Sequence, residues 1–422
     1  MKHVLFIDQT PSGVATMQRA KENGHRVTYI RSPEVRALSN AGDSNADVEI
    51  ESDTSSVKEL TGTMGRIHKE HPVTAVINSR DASIEYTAVA CAQLGISFTA
   101  AVGVQNARNK ARARQVLAAA GVDVPRFAVT THLDEFAGLA RSVGYPLVIK
   151  PACGYGSLLC YRADSLLELR MVIEKLRHEE AQLPASWRHI VGGGYLLEEW
   201  VEGEVVSIQM AVVSGHKEAL AVTGRTTTAE DACIGLGSVV PVSLPRKVGS
   251  DCIAHAGEVC EALGLDLGVF DIEIAIGARG PVVVDANPRR MGGEVLSAFE
   301  LATGVNFHDL LLETYSGQMP NCTRMRNDGF VVVRKMLPRF DAHVGEVFNL
   351  EKIATMRECK KFVNYGIQAG RRVKRLEVLA RALLHGSTVA SALSAAEILT
   401  LRLEEEIGLS LVHGPNASQL KR

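Results

Sequence analysis

The chain has 422 residues, 46% of them hydrophobic and 22% charged, with a net charge of −2 at pH 7. Such a composition excludes a disordered or fibrous chain, and the near-neutral balance excludes a broadly basic nucleic-acid-binding surface. At roughly 100–200 residues per domain, the length predicts two to four domains. No apolar stretch reaches the ~20 residues that a membrane-spanning helix needs. Met1-Lys2-His3 runs directly into Val4-Leu5-Phe6-Ile7, too brief for the core of a signal peptide. The eight cysteines form no CxxC pair and no zinc spacing, which reads as reduced thiols in a cytoplasmic protein. Basic residues gather at Lys360, Lys361, Arg371, Arg372, Lys374 and Arg375; a solvated helix-and-loop face accounts for them, so neither nucleic acid nor membrane is expected as a partner.

The first ~105 residues alternate strand and helix. Val4–Asp8 is a continuous apolar strand, followed by the turn Pro11-Ser12-Gly13 and a helix with Val14, Met17 and Ala20 on one face. Val27–Ile30 and Val73–Asn78 are further strands, and Glu85–Leu94 is a helix ended by Gly95. This alternation predicts a doubly wound parallel sheet, without the GxGxxG fingerprint of a classical dinucleotide site. Lys110–Ala120 is a helix closed by Gly121. A compact unit follows to about residue 200: helix Asp134–Val143, strand Leu147–Lys150, a glycine-bearing turn Cys153–Ser157, helix Ser165–Arg177, loop Pro184–Gly194 and strand Tyr195–Glu199. Strands then dominate to about 320, at Val205–Val213, Leu220–Thr223, Val269–Ile276 and Val282–Asp285. The remainder reads as an α+β piece, with strand Phe330–Arg334, a helical Arg375–His385 and an amphipathic helix Val389–Glu404. The predicted division is 1–105, 106–200, 201–320 and 321–422.

Three segments carry chemistry. Gly144–Pro151 ends a buried strand on Lys150, and Gly154, Tyr155, Gly156 and Ser157 follow at once. A buried ammonium needs an anion, and a glycine turn exposes backbone N–H groups that can close over phosphates. In Phe270–Ile274 and Val282–Arg289, strand alternation puts Asp271 and Glu273 on one face, and Asp285 and Asn287 follow on a neighbouring strand. Two carboxylates and an amide are the hard oxygen ligands that Mg²⁺ on ATP phosphates requires, and Arg289 stands two residues beyond. Leu196–Gly203 ends a strand in Glu198 and Glu199, where backbone groups could meet an adenine edge.

Taken in order, Asn109-Lys110 with Arg114, Ala120–Pro125, Gly144–Pro151, Glu198–Val201, Glu273 and Asp285–Arg289 resemble the ATP-grasp superfamily over about residues 1–320. Within it, Leu301–Leu311 and the segment Val333–Pro338 look most like the L-amino acid ligase and natural-product amide synthetase branch. The resemblance implies an α/β and α+β chain: a parallel-sheet N-terminal domain, a small lid and an antiparallel-sheet domain bearing the metals, followed by a C-terminal appendage. It implies an ATP-dependent ligase joining a small-molecule carboxylate to an amine through an acyl phosphate, with ATP and two Mg²⁺ (Mn²⁺ able to substitute), and a homodimer.

Carried onto this sequence, Lys110 and Lys150 would contact phosphates under the loop Gly154–Ser157, and Glu198, Glu199 and Val201 would form the adenine hinge. Glu273, Asp285 and Asn287 would hold the metals, with Arg289 and Lys150 catalytic. Arg289, Arg290, Gly292 and Gly293 would line the substrate pocket, with Glu85 as a contact for the amine. Three departures touch geometry and specificity. Asp285 replaces the usual glutamate, Gly203-Glu204-Val205 puts valine where a ribose-binding glutamate is common, and Gly237-Ser238 lacks the histidine of many amino acid ligases. The rival expectations are an ATP-grasp carboxylase using bicarbonate and a non-catalytic ATP-binding regulatory protein.

Overall fold

The structure is a computed structural model that describes residues 2–9, 11–38, 45–156, 158–184, 187–228 and 233–414. Strands β1 (His3–Ile7), β2 (Arg26–Arg31), β3 (Val48–Glu51) and β4 (Ala75–Asn78) form a parallel sheet in the order β3-β2-β1-β4. All residues of β1 and β4 are buried, as expected of parallel strands covered on both faces. The covering helices follow from their patterning. Val57–Glu70 buries Leu60, Thr63, Met64 and Ile67 on one stripe, and its N-terminus is capped by the Ser56 side chain accepting from the Glu59 N–H. Pro11-Ser12-Gly13, expected as a turn, is instead the first turn of the helix Pro11–Glu22, where a proline at the opening position leaves no helical hydrogen bond unmade.

β5 (Phe127–Thr130), β6 (Leu147–Pro151), β7 (Tyr161–Ala163) and β8 (Tyr195–Glu199) make a small antiparallel sheet ordered β5-β8-β6-β7. The helices Phe136–Val143 and Leu166–Gln182 pack on it, so that Phe136, Leu147, Ile149, Leu169, Leu176 and Leu197 share one core. The second helix runs beyond the expected Arg177 because nothing breaks it before Leu183. Within the loop expected at Pro184–Gly194, a single helical turn forms at His189–Gly192.

The largest layer has eight strands. β9 (Glu204–Val213), β10 (His216–Thr227), β11 (Gly235–Val240), β12 (Leu267–Gly277) and β13 (Gly280–Asn287) are joined by β14 (Phe330–Met336), β16 (Cys359–Asn364) and β18 (Ala380–Gly386). The short pair β15 (Ala342–His343) and β17 (Arg372–Val373) lies apart. The order is β13-β12-β9-β10-β11-β14-β18-β16, so the sheet runs without interruption across residue 320. The expected helix Arg375–His385 is corrected to a strand, β18. Leu383 and Leu384 point to opposite faces and both are buried, and a strand covered on both sides loses the alternation that would have identified it. The helix Val389–Ile407 covers that region, close to its expected extent, with a Thr388–Ser391 capping box and a C-terminal Gly408 in the left-handed conformation.

Sequence patterning places the site. On β9 the even residues Val206, Ile208, Met210 and Val212 face a core shared with Phe270, Ile272 and Ile274 of β12. The helix Arg246–Leu263, which sequence reading missed, closes that core with Cys252, Ala256, Val259, Cys260 and Leu263 at helical spacing. The odd residues of the same strands face the opposite way. There the sheet meets the N-terminal domain, and one core runs from Phe6 and Ile77 through Ala211, Val269 and Phe299 to Val333 and Leu383. That junction is close: a Cβ on Gly103 would stand 2.1 Å from the Gly264 carbonyl oxygen, so only glycine fits there. No helix among the described residues is long and apolar enough to cross a membrane.

Candidate active site

The odd face of the sheet, the strand end at Lys150 and the turn after it enclose a cavity of about 590 Å³. This lies within the ~300–1,000 Å³ typical of small-molecule sites. Lys110, Lys150, Gly154, Tyr155 and Gly156 line it from one side. Glu273, Asp285, Asn287, Arg289, Gly292 and Gly293 line it from the other. Eleven of the residues singled out in the sequence are thus gathered in one place. Ser157 lies outside the described residues.

Strand pairing aligns the oxygen donors. Glu273 of β12 stands opposite Asp285 of β13, and Asp271 stands opposite Asn287, all facing the cavity. A register shift between Glu273 and Ile274 accompanies the pairing. Lys110 Nζ donates to both Asp285 oxygens at 2.7 Å. Burial alone would raise the Asp285 carboxyl, but Lys110 and Lys150 hold it well below the usual carboxylate range. Asp271 makes no close ion pair among the described residues, and Arg289 offsets its burial only in part. Burial and the neighbouring Glu273 push it up to about 7, against hydrogen bonds from Ser207 and Gln209. Among the described residues no group of three or more His, Cys, Asp or Glu side chains is placed to hold a metal by itself. Two carboxylates and an amide oxygen fit Mg²⁺ all the same, because that ion keeps waters and substrate phosphates in its shell rather than using an all-protein cage.

Lys150, half-buried at the end of β6, donates to the Val284 carbonyl at 3.0 Å and pairs with Glu198. Glu198 is 3% exposed and also receives Arg114 Nε at 2.9 Å. Burial opposes its ionisation, yet Arg114 and Lys150 hold its carboxyl below the ordinary value. Its side chain is therefore turned to these two cations and does not line the cavity. Glu199 is likewise engaged by Arg126 at 2.6 Å and Arg279 at 2.6 Å, and Val201 packs by Gly277. The three residues expected at an adenine hinge stand outside the cavity wall, so any contact they make with a base would come from the backbone.

Arg289 is held by a residue that sequence reasoning missed. Asp81, just after β4, accepts from Arg289 Nε at 2.9 Å and Nη2 at 2.6 Å, and pairs with Arg108 at 3.1 Å. Burial would neutralise Asp81, but Arg289 and Arg108 keep it ionised. Arg289 in turn is held protonated by Asp81 despite its own burial. The only signal for Asp81 was its position one helical turn before Glu85, the carboxylate singled out instead. Glu85 is half-buried on the helix Ile84–Leu94 and does not line the cavity. Arg290 is also outside the wall. It is 2% exposed, donates to the Met291 carbonyl at 2.8 Å and to Ser12 Oγ at 3.2 Å, and burial pushes it down to about 10.

The cavity holds further residues not anticipated: Ser207 beside Asp271 and Glu273, and Arg225, Ser238, Lys335 and Arg381 towards its far end. Parity could have found them. Arg225, Lys335 and Arg381 continue the odd face of β10, β14 and β18, where the even positions Val332, Ala382 and Leu384 pack into the C-terminal core.

Residues 143–298 match the family model described as "ATP-grasp domain". "Uncharacterized protein y4rH" of Sinorhizobium fredii is 25% identical over 72% of this chain and 61% of its own length. "Carnosine synthase 1" of Gallus gallus is 25% identical over 52% of this chain and 24% of its own length. The chain therefore spans less than two thirds of these curated relatives. Among solved structures, an L-amino acid ligase from Bacillus licheniformis superposes with a TM-score of 0.77 at 17% identity, covering 99% of both chains. Residues 143–298 thus match an ATP-grasp domain, and the chain as a whole shares its fold with that ligase structure.

Proposed function

We propose that this chain is an ATP-dependent ligase that joins a carboxylate, of an amino acid or small organic acid, to an amine through an acyl phosphate, releasing ADP and phosphate. One observation carries the reading. Two lysines, an arginine and a cross-strand set of oxygen donors meet in a single cavity, with the glycine turn at Gly154–Gly156 at its edge. The likeness to an L-amino acid ligase and to a carnosine synthase supports it.

In this mechanism Lys150, fixed by Glu198 and the Val284 carbonyl, and Lys110 hold the nucleotide phosphates. Glu273, Asp285 and Asn287 would hold two magnesium ions, with Mn²⁺ able to substitute; these would neutralise phosphate charge and align the γ-phosphoryl group. Arg289, oriented by Asp81, meets the carboxylate and stabilises charge as the phosphoryl group passes to it. The turn Gly154–Gly156, with Tyr155 beneath Arg108 at 5.9 Å, would close over the phosphates and exclude water from the activated acid. No enzyme nucleophile is required. The same proposal includes the four-unit division, a homodimer and a cytoplasmic setting. Its fourth unit extends the sheet of the third.

The test is phosphate release from ATP·Mg²⁺, screened over pairs of amino acids and small carboxylic acids, with product mass. The expected result is ADP and phosphate only when acid and amine are both present. Release that depends on bicarbonate and on no amine would mark a carboxylase instead.

A further inference from the structure

The far end of the cavity is richer in positive charge than the proposed reaction needs. Lys335 of β14 and Arg381 of β18 are direct cross-strand partners. Like charges in that position repel and destabilise a sheet unless something neutralises them. Among the described residues neither lies within 4.0 Å of a carboxylate. The Lys335 ammonium donates to the Gly235 carbonyl at 3.1 Å, and Arg381 Nε is buried with no hydrogen-bond partner. Arg225 joins them on the same face. A Cβ built on Gly235 would stand 3.6 Å from Arg225 Nε and 3.8 Å from Lys335 Nζ, so the two cations flank one glycine. Among the described residues, the carboxylate paired with Arg225 is Glu273, at a loose 3.7 Å. Burial, Arg381 and Arg225 together lower the Lys335 ammonium, which shows that the three fields overlap.

The cluster runs along the sheet away from the proposed metal ligands, with Arg225 at its near side, 3.7 Å from Glu273, and Lys335 and Arg381 beyond it. In the order β12-β9-β10-β11-β14, Lys335 lies four strands from Glu273, which at about 4.8 Å per strand is roughly 19 Å across the sheet. It does adjoin the segment after Arg289. A Cβ on Gly293, which has φ +69°, would stand 2.6 Å from Arg381 Nη1. The arginine therefore packs directly against the loop that borders the acid-activating position.

We infer that the substrate bound at this end carries a second anionic group, a carboxylate or a phosphoryl group beyond the one that reacts, and that Arg225, Lys335 and Arg381 receive it. The inference rests on the proposed function only in calling that molecule a substrate. Its chemistry is that of a dicarboxylic acid, an acidic amino acid or a phosphorylated acid, held by charge-assisted hydrogen bonds from a half-buried cation group.

Binding, not turnover, tests it. Calorimetry on the full chain with Mg²⁺ and a non-hydrolysable ATP analogue would compare L-glutamate with L-glutamine, glutarate with glutaramate, and O-phospho-L-serine with L-serine. At least one dianionic probe should bind about tenfold or more tightly than its isostere, since a hydrogen bond to a charged group contributes about 1.5–3 kcal/mol. The pair that discriminates tells carboxylate from phosphoryl. Lys335→Met and Arg381→Met should each erase the preference, and Lys335→Met should unfold at a urea concentration no lower than the parent because it relieves repulsion. Equal binding of every pair by the parent protein overturns the inference without recourse to a variant, as does a preference that survives both substitutions. If glutarate binds with this dependence and no phosphate is released with any amine, the ligase reading fails and this one stands. Turnover confined to acids with a single anionic group does the reverse.

Discussion

The two ends of the cavity solve the problem of buried charge in opposite ways. At the end formed by β6, β12 and β13, each cation is matched at close range: Lys110 by Asp285, Lys150 by Glu198, Arg289 by Asp81. At the end formed by β10, β14 and β18, Lys335 and Arg381 face each other across neighbouring strands, and among the described residues neither is paired with a carboxylate; Lys335 donates to the Gly235 carbonyl and Arg381 lies over the Tyr365 ring. A site whose charges are internally satisfied is preorganised and costs little to keep empty. One whose charges are not satisfied is built for what arrives, and bears a standing electrostatic cost until it does. The first arrangement suits a part common to many enzymes, the second a part that sets specificity.

The contrast would break most completely if the ends were separable. Ending the chain at residue 320 removes β14, β16 and β18, exposes the edge of β11 and takes Val331, Val333 and Leu383 out of the core shared with the N-terminal domain. The truncated protein is expected to show no cooperative urea transition; a normal transition with intact nucleotide binding would make the two ends independent modules. Next in size is Arg289→Ala. It should lower turnover by about 10³-fold, as loss of a charge-stabilising donor does, while calorimetry finds nucleotide affinity largely kept. Near-parental turnover would remove Arg289 from the chemistry.

The matched end is sharpened by Glu198→Gln, which leaves Arg114 and Lys150 buried without their counter-charge. Denaturant unfolding should record a loss of about 3–5 kcal/mol. The sign of the pH effect follows from its depressed carboxyl. The stability that Glu198 contributes is present above its unfolded value and fades as acid protonates the folded state. The smallest effect concerns the junction with the N-terminal domain. His308, hydrogen-bonded to Thr16 at 2.8 Å, is pushed by burial and by Arg290 from 6.5 to about 4. The unfolded chain binds a proton there that the folded one refuses, so stability falls as pH drops from about 6.5 to about 4. The slope contributed is at most about 1.4 kcal/mol per pH unit. His308→Gln should flatten that part of the stability curve, and an unchanged slope would assign it to other groups.

The same contrast governs what could be read from the sequence. Lys150, Glu273, Asp285 and Asn287 were legible because each breaks a strongly apolar strand pattern, where a polar residue asks for a reason, and Arg289 because it follows two residues beyond. The hinge residues Glu198 and Glu199 were legible as an anomaly, but their side chains turned out to serve Arg114, Lys150, Arg126 and Arg279. Arg225, Lys335 and Arg381 were missed because they join the site only through strand order. Nothing local says that a strand near residue 381 lies beside one near 335, and the segment containing Arg381 reads as a helix when its alternation is masked by burial on both faces. Asp81 was missed for a related reason, since its partner Arg289 is 208 residues away. The helix Arg246–Leu263 escaped notice because its buried face is built of cysteine, alanine and valine, residues with little contrast against their surroundings. Local order was readable; long-range adjacency was not.

The clasp between Lys110 and Asp285 has a consequence for the order of events. The ammonium occupies the carboxylate through both of its oxygens, and Lys110 is anchored by its own backbone N–H to the Ala152 carbonyl at 2.7 Å, beside the glycine turn. On the proposed function, a divalent ion arriving alone meets a ligand already neutralised from within. A triphosphate offers the lysine a better partner and frees the carboxylate as it binds. Metal and nucleotide would then enter as a linked pair, each raising the affinity for the other by the same factor. The residue that grips the phosphates would also serve as the gatekeeper of the metal.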